Sequence, residues 1–187
     1  WGSVLAKEGW RATSLGAFDF NPAYPYFVAG FQALFGSSQL VLFAFQHALG
    51  ACAAPLLYMV AARAFNRRAG LAAGVLAAFY GPALFFESRL LGECWIFLAN
   101  ACALWSLGRA ERVSRPWLAW GLGGLALGGS ACFRPTILAF VPLVGLWGLW
   151  TLRQNRPALA PAAAAFLLGL WLPLLPFQVR NRLVVPN

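Results

Sequence analysis

Long apolar tracts without any charged residue alternate along this chain with short clusters of arginine. The charge-free tracts are residues 20–62, 70–86, 116–133, 135–152 and 157–179. A helix needs about 20 apolar residues to cross the hydrocarbon of a bilayer, and these tracts are close to that length or exceed it. A buried helix of a soluble protein could explain one such tract. Five in series indicate a polytopic membrane protein.

The tracts predict an all-α fold, a polytopic transmembrane helix bundle of five to six spanning helices with an amphipathic interfacial helix near the N-terminus. The run 23–35 is short, rich in Phe and Tyr, and ends at Gly36, which is typical of a helix at the headgroup level. A true span is the alternative for this run. The predicted spans are 39–62, 70–86, 90–108, 116–133, 135–152 and 157–179. The predicted parts are the end of an external loop with the interfacial helix (1–38), the bundle (39–179) and the start of a further external segment (180–187).

The positions of the arginines predict the orientation of the bundle. Basic residues mark cytoplasmic loops, and the basic turns here are 63–68, 109–115 and 153–156. With these turns inside, the segments that emerge on the outer face are 1–37, 86–89, 134 and 180–187. Arg134, Arg180 and Arg182 are then positive on the outer side, against the usual distribution, which makes them candidates for binding an anion.

The composition supports a membrane domain and excludes several other classes. Hydrophobic residues make up 61% of the 187 positions and charged residues only 10%, whereas soluble domains carry about 25% charged residues. The net charge of +9 comes from arginines in turns, so topology explains it and no nucleic-acid partner is predicted. The sequence has no Walker loop, dinucleotide-binding glycine motif or Ser/His/Asp set, so soluble nucleotide chemistry is unsupported.

Four cysteines lie in apolar tracts without C-x-x-C spacing, which indicates buried free thiols rather than a metal site or disulfides: Cys52, Cys94, Cys102 and Cys132. No cofactor is identified from the sequence, and a divalent metal is left open.

The chain starts at Trp1 rather than Met and no signal peptide precedes the tracts, so we expect a piece of a longer protein, cut at both ends. Gly124 and Gly128 predict ordinary packing between helices rather than a dimer face.

Charges at membrane depth are costly and are therefore candidates for function. Those near the predicted outer turns are Glu87, Arg89, Glu93 and Arg134. Glu93 follows Arg89 by four residues, so the two are predicted to share a helix face on which they can pair. This pair is either a structural link of the helix hairpin or one wall of an outward-facing cavity for a polar headgroup.

Arg134, His47 and Asp19 each allow two interpretations. Arg134 precedes Pro135, and its fork of donors suits phosphate oxygens; the alternative is a side chain that extends to the lipid headgroups. His47 stands alone inside a span, where a packed hydrogen-bond donor between helices is favoured over a base or a ligand. Asp19 either caps the start of the interfacial helix or lines the site.

Several segments resemble, in chain order, those of one family. They are residues 20–36 (FNPAYPYF to LFG), 46–50 (QHALG), 62–70 (ARAFNRRAG), 78–82 (AFYGP), 121–135 (ending FRP) and 176–181 (PFQVRN). The family is that of the membrane-embedded glycosyltransferases of the C superfamily, in the branch that contains protein O-mannosyltransferases and the lipid A aminoarabinose transferase. Arg134 matches the arginine or lysine of the family's T-R-P motif, with Phe133 in place of threonine.

The resemblance implies an inverting glycosyltransferase that takes sugar from a polyprenyl-phosphate donor on the periplasmic face of a bacterial inner membrane, as a multi-pass protein. The implied partners are membrane lipid and the polyprenyl-phosphate sugar, while the sugar and the acceptor stay unknown. The family's base is a carboxylate in the first large external loop. We expect it upstream of Trp1, so that this piece alone would be inactive; Asp19, which aligns with a later part of that loop, is the remaining candidate.

The resemblance also implies a substrate site. Arg134 would hold the carrier phosphate, with Arg180 and Arg182, and the residues edging the headgroup cavity would be Asp19, Glu87, Arg89 and Glu93. The alternative function is a non-catalytic multi-pass transporter or lipid flippase, which tends to have two matching halves with broken helices. The sequence shows no second half. A third hypothesis is a structural membrane subunit, but the charged residues on the outer side argue against it.

Overall fold

The structure, a computed structural model, describes residues 4–5, 8–9, 23–153 and 155–184. Asp19 lies outside the described residues. The α-helices are α1 (Ala23–Phe35), α2 (Gln39–Ala51), α3 (Ala53–Ala64), α4 (Arg67–Ala78), α5 (Gly81–Glu87), α6 (Glu93–Leu107), α7 (Pro116–Phe133), α8 (Val141–Thr151), α9 (Arg156–Trp171) and α10 (Leu175–Val184). Two 3₁₀ segments are Ala110–Arg112 and Pro135–Phe140. The described part contains no strand, and the predicted all-α fold is confirmed.

Two helices among the described residues are long and apolar enough to cross a membrane. Helices α2 and α3 form one continuous run, Gln39–Ala64, of 26 residues, and α4 and α5 form another, Arg67–Glu87, of 21 residues. A third span arises if α9 and α10, which meet at a bend of 45°, are counted together. The predicted number of five to six spans is therefore not confirmed and stays a prediction.

The last predicted tract differs from the structure at its end. We predicted a span over 157–179 followed by an external segment, but the helix breaks near Pro173 and continues as α10 through Val184. Proline lacks the backbone donor that a helix interior needs, so the break falls where the sequence places Pro173 and Pro176. Arg180 and Arg182 consequently lie on a helix.

Helix α7 ends where the candidate site begins. Arg134 follows it with an extended backbone (φ −145°, ψ 99°), because a residue before proline is disfavoured in the helical region. The 3₁₀ segment starts at Pro135 and turns the chain into α8. The guanidinium of Arg134 is thus carried on a fixed break between two apolar helices.

The core is built around α7, which packs between α6 and α9. Gly124 and Gly128 face the backbone of α9, at the carbonyl groups of Phe166 and Leu170. A side chain at either glycine would overlap that backbone, so the small residues let the helices approach closely. The prediction of ordinary helix packing at these glycines is confirmed within the chain.

Apolar side chains cover the outside of the bundle. Almost none of the run Arg67–Glu87 is buried, and large residues such as Leu76 and Phe79 are exposed on it. Soluble proteins rarely expose contiguous apolar surface of this extent. These faces are suited to contact with lipid, as the charge-free tracts predicted.

Contacts group the turns of the chain at two ends of the bundle. At one, the site end, the start of α1 meets α10 and Glu93 meets Arg134. At the other, the arginine end, Arg63 lines a cavity with Arg112, and a second cavity is lined by Ala110, Glu111, Pro116, residues 150–153 and Asn155. The predicted parity of the crossings stays a prediction. Which end faces the periplasm stays a prediction.

Candidate functional site

Helix α1 lies over the site end through its aromatic side chains. The ring of Phe27 packs edge-on against Trp95 of α6, with centroids 5.1 Å apart, and stacks on Phe45 of α2 at 5.9 Å. Tyr26 contacts Phe177 of α10 at 5.6 Å. Such pairs add about 0.5–1.5 kcal/mol each beyond the area they bury. The helix predicted to lie at the interface therefore joins three other helices of the bundle.

Arg134 forms an ion pair with Glu93 at the start of α6. Its Nη2 lies 3.2 Å from Glu93 Oε1, and the Arg134 side chain is 59% exposed. The rings of Trp95 and Phe133 stack nearly in parallel, at 7° and 5.9 Å between centroids, and hold the start of α6 against the end of α7. The pair is therefore positioned by aromatic packing of its immediate neighbours along the chain.

The predicted pairing of Glu93 with Arg89 is wrong. Helix α6 begins only at Glu93, and Arg89 lies in the irregular turn before it, so no common helix face exists for the two. The guanidinium carbon of Arg89 instead lies 5.0 Å from the centroid of the Phe85 ring. Glu93 takes its partner from a helix end about 40 residues further along the chain.

Gln46 of α2 is fully buried, and its side chain links α2 to α1 and to the turn after α5. Its Oε1 accepts a hydrogen bond from the Tyr24 hydroxyl at 2.8 Å. Its Nε2 donates to the carbonyl oxygens of Glu87 at 2.8 Å and Arg89 at 3.0 Å. Burial raises the pKa of Tyr24, which keeps the phenol protonated as the donor. The side chain thus fixes the Glu87–Arg89 turn by satisfying both of its own polar groups.

Replacing Gln46 by leucine is expected to lower the free energy of unfolding by about 2 kcal/mol, because two carbonyls and one hydroxyl would lose their buried partner. Gln39→Leu, on the exposed start of the same helix, is the matched control and should change stability little. Thermal unfolding of the two variants in detergent measures the difference. Equal midpoints would show that the network contributes nothing.

Glu87 is buried, with 3% of its surface exposed, and its carboxylate lies against Gly50 of α2. A Cβ at Gly50 would overlap that carboxylate, so this position admits glycine alone without a shift of Glu87. The structure places Glu87 beneath the turn, whereas Arg89 is exposed on it.

His47 acts as a packed polar residue in α2. Its Nδ1 lies 2.9 Å from the carbonyl oxygen of Phe43, which can only accept, so Nδ1 carries a proton. Its Nε2 faces the hydroxyl of Ser88 at 3.4 Å. The Nδ1 hydrogen bond lies within α2, so His47 is a packed donor, but this bond does not join two helices as predicted.

Arg180 and Arg182 have different surroundings. Arg180 is fully buried, hydrogen-bonded to Tyr26 of α1, and donates to Asn181 Oδ1 at 3.2 Å. Burial raises the pKa of Tyr26 although Arg180 lowers it, and the hydroxyl remains a neutral partner. Arg182 is exposed. The first links α10 to α1, and only the second presents its charge at the surface.

The sequence model of the dolichyl-phosphate-mannose-protein mannosyltransferase family matches residues 19–177, more than four fifths of the chain. The chain belongs to this family. The predicted resemblance to membrane-embedded glycosyltransferases is confirmed, and the family places the protein among transferases that use a polyprenyl-phosphate-sugar donor. No curated protein and no solved structure matches the chain.

In this mannosyltransferase-family chain the predicted site residues form three groups. Arg134 and Glu93 are paired, Glu87 and Arg89 are joined through Gln46, and Arg180 is joined to α1. No cluster of three His, Cys, Asp or Glu side chains that could hold a metal occurs in the part of the chain that the structure describes. Sequence reasoning missed Gln46, although a polar amide inside a charge-free tract was a signal that a buried partner is required.

Proposed function

We propose that this member of the family transfers a sugar from a polyprenyl-phosphate carrier to an acceptor at the site end, on the periplasmic face of a bacterial inner membrane. The observation that carries the proposal is Arg134, an exposed guanidinium fixed at a helix end by Glu93. The family match supplies the donor class, and the predicted orientation supplies the face.

The chemistry of the carrier fits an arginine at this place. Transfer breaks the bond between the anomeric carbon of the sugar and a phosphate oxygen, so negative charge develops on the leaving phosphate. A guanidinium has five N–H donors and keeps its charge at every accessible pH. Because the Glu93 contact uses one side of the Arg134 fork and the group is 59% exposed, donors remain for phosphate oxygens. Positive charge held in advance where charge develops lowers the barrier.

An inverting transfer also needs a carboxylate base that takes the proton of the acceptor as it attacks. We place this base in the external loop that precedes α1, where the family resemblance puts it. Asp19 is the candidate within the chain and lies outside the described residues. Glu87 and Glu93 are unsuited, since the first is buried against Gly50 and the second is engaged by Arg134.

The remaining predicted residues take different roles in this proposal. Arg89 and Arg182 are exposed and offer charge to the phosphate or to neighbouring headgroups. Arg180 is buried and holds α10 against α1, so it shapes the site without contacting the carrier. Glu87 contributes its backbone carbonyl to the Gln46 network, which fixes the turn that carries Arg89.

Glu93 is expected to position Arg134. Glu93→Ala should lower kcat/KM for the lipid-linked donor about tenfold, because the guanidinium loses the contact that fixes its direction. Glu93→Gln keeps a hydrogen-bond acceptor at the same place and should recover most of the activity. Glu111→Gln at the arginine end controls for loss of a negative charge. If the alanine and glutamine variants are equally impaired, activity requires the negative charge of Glu93, and positioning of Arg134 by a hydrogen bond does not explain its effect.

The proposal is tested by incubating the purified full-length protein with a panel of undecaprenyl-phosphate sugars, or with the matching nucleotide sugars, each in the presence of a bacterial envelope extract that supplies protein and lipid acceptors. We expect the protein to consume a lipid-linked sugar and to release undecaprenyl phosphate. We expect it not to consume the nucleotide sugars. Movement of the lipid-linked sugar across liposome membranes without consumption would indicate a transporter or flippase. Neither consumption nor movement across the panel would leave the proposed activity without support.

A further inference from the structure

A small cavity opens at the arginine end between α3 and α6. Its volume is about 120 Å³, and it is lined by Val60, Arg63, Ala64, Leu104, Trp105, Gly108 and Arg112. It lies at the opposite end of the bundle from Arg134, so the proposed sugar transfer makes no use of it. Its lining combines two guanidinium groups with apolar side chains and the edge of an indole.

The polar side of this cavity favours an anion. Arg63 and Arg112 line it, and its lining contains no acidic residue; the nearby Glu111 lines a different cavity, together with Arg153. Both arginines are exposed and form no ion pair with a described residue. Two unneutralised guanidinium groups on one small cavity produce a local positive potential that attracts phosphate oxygens.

Two buried donors beside the cavity lack an acceptor. The Arg109 guanidinium carbon lies 3.8 Å from the centroid of the Trp105 ring. The Nε1 of Trp105 and the Nε of Arg109 are both buried and have no hydrogen-bond partner among the described residues. Buried N–H groups are nearly always satisfied. Because both nitrogens are shielded from solvent, they do not contact a ligand in the cavity, and the Arg109–Trp105 contact serves to hold the indole as one wall of it.

The other side of the cavity is apolar and continues toward the middle of the bundle. Val60 lies one turn before Arg63 on α3, and Leu104 lies one turn before Gly108 on α6. Leu104 is 53% exposed, so the groove above the arginines is open to the bilayer. A soluble phosphate would leave this apolar wall uncovered, whereas a molecule with an acyl chain would cover it.

We propose that this cavity binds an anionic phospholipid, with the phosphodiester between Arg63 and Arg112 and an acyl chain along Val60 and Leu104. Basic pockets between transmembrane helices on the cytoplasmic side have the chemistry to bind anionic headgroups. The predicted orientation makes the lipid one of the cytoplasmic leaflet. The lipid would join α3 to α6, the helix whose first residue, Glu93, pairs with Arg134 at the other end. Its binding is independent of the proposed sugar transfer.

The test uses the full-length protein, delipidated in neutral detergent and titrated with phosphatidylglycerol or phosphatidylcholine, with bound lipid counted by native mass spectrometry. Arg63→Gln/Arg112→Gln should weaken binding of phosphatidylglycerol about tenfold or more, since each surface arginine contributes to the attraction of an anionic lipid. Arg68→Gln/Arg115→Gln removes the same charge from exposed positions outside the cavity and should change binding less than twofold.

Three outcomes would overturn the proposal. Equal weakening in the two double variants would show that net charge alone attracts the lipid. Phosphatidylcholine binding as tightly as phosphatidylglycerol would remove the selectivity for an anion. Glycerophosphoglycerol, the same headgroup without acyl chains, competing at equal concentration would show a site for soluble anions. Thermal unfolding of every variant without lipid checks that each is folded, and no result of this test depends on glycosyltransferase activity.

Discussion

Arg134→Ala is expected to lower the turnover of a polyprenyl-phosphate sugar about 100- to 1,000-fold while the protein stays folded. Removal of one preorganised group that stabilises developing charge has an effect of about this size. Arg134 is more than half exposed, and Glu93 is already 25% exposed beside it, so water can solvate the Glu93 carboxylate after the substitution and the fold should tolerate it. The substitution therefore acts mainly on the chemistry.

The comparison of variants makes this result specific. Arg134→Lys keeps the charge and loses the two-pronged geometry, so its turnover should fall between those of the wild type and the alanine variant. Arg115→Ala removes an exposed arginine from the opposite end of the bundle and should leave turnover near that of the wild type. Turnover near normal in Arg134→Ala would leave the family membership intact and move the phosphate contact to another residue.

Gly128→Val is expected to destabilise the bundle by about 3 kcal/mol or more. A side chain at this position would overlap the backbone of α9 at Leu170, which cannot move without separating two helices. Gly129→Val is a matched control on the adjacent residue, because no atom lies within 4 Å of a Cβ placed there. The same residue change at the two positions has the same intrinsic cost in helix propensity.

The two glycine variants are compared by denaturant-induced unfolding in detergent and by the monodisperse yield after purification. We expect the valine at 128 to lose most of its folded yield and the valine at 129 to behave like the wild type. Similar loss at both positions would indicate that α7 requires glycine for its own conformation. Similar tolerance would mean that α7 and α9 are not in close contact in the membrane.

The charge pattern predicted the positions of the helices well, because the residues at the ends of each helix determine where it begins and ends. The tract 116–133 begins with proline and ends before Arg134-Pro135, and α7 has the same bounds. The arginine turns separated the tracts correctly for the same reason. The charge pattern did not fix the number of membrane crossings, because α6 has only 15 residues and the tract 135–151 begins with a 3₁₀ segment. Length along the sequence does not settle how a short or irregular helix lies in a bilayer.

The side-chain contacts of the site were much less predictable. The sequence suggested Arg89 as the partner of Glu93 from their spacing, but the Trp95–Phe133 stack brings Arg134 there instead. Arg180 and Arg182 look alike in sequence, yet residues two apart on a helix point to nearly opposite sides. One is therefore buried against α1 and the other is exposed. These differences come from packing between distant segments, which a pattern of apolar and polar positions does not encode.

The contact between α1 and α10 has a consequence for biosynthesis. Tyr26 meets Phe177 and Arg180, so about 150 residues are translated between the two sides of this contact. At about 5–20 residues per second the ribosome needs on the order of ten seconds for that length. During this interval the aromatic side chains of α1 lack their contact with α10. The candidate site is therefore completed only after α10 has been synthesised, and we expect nascent chains that are stalled before α10 to lack the contact between α1 and α10.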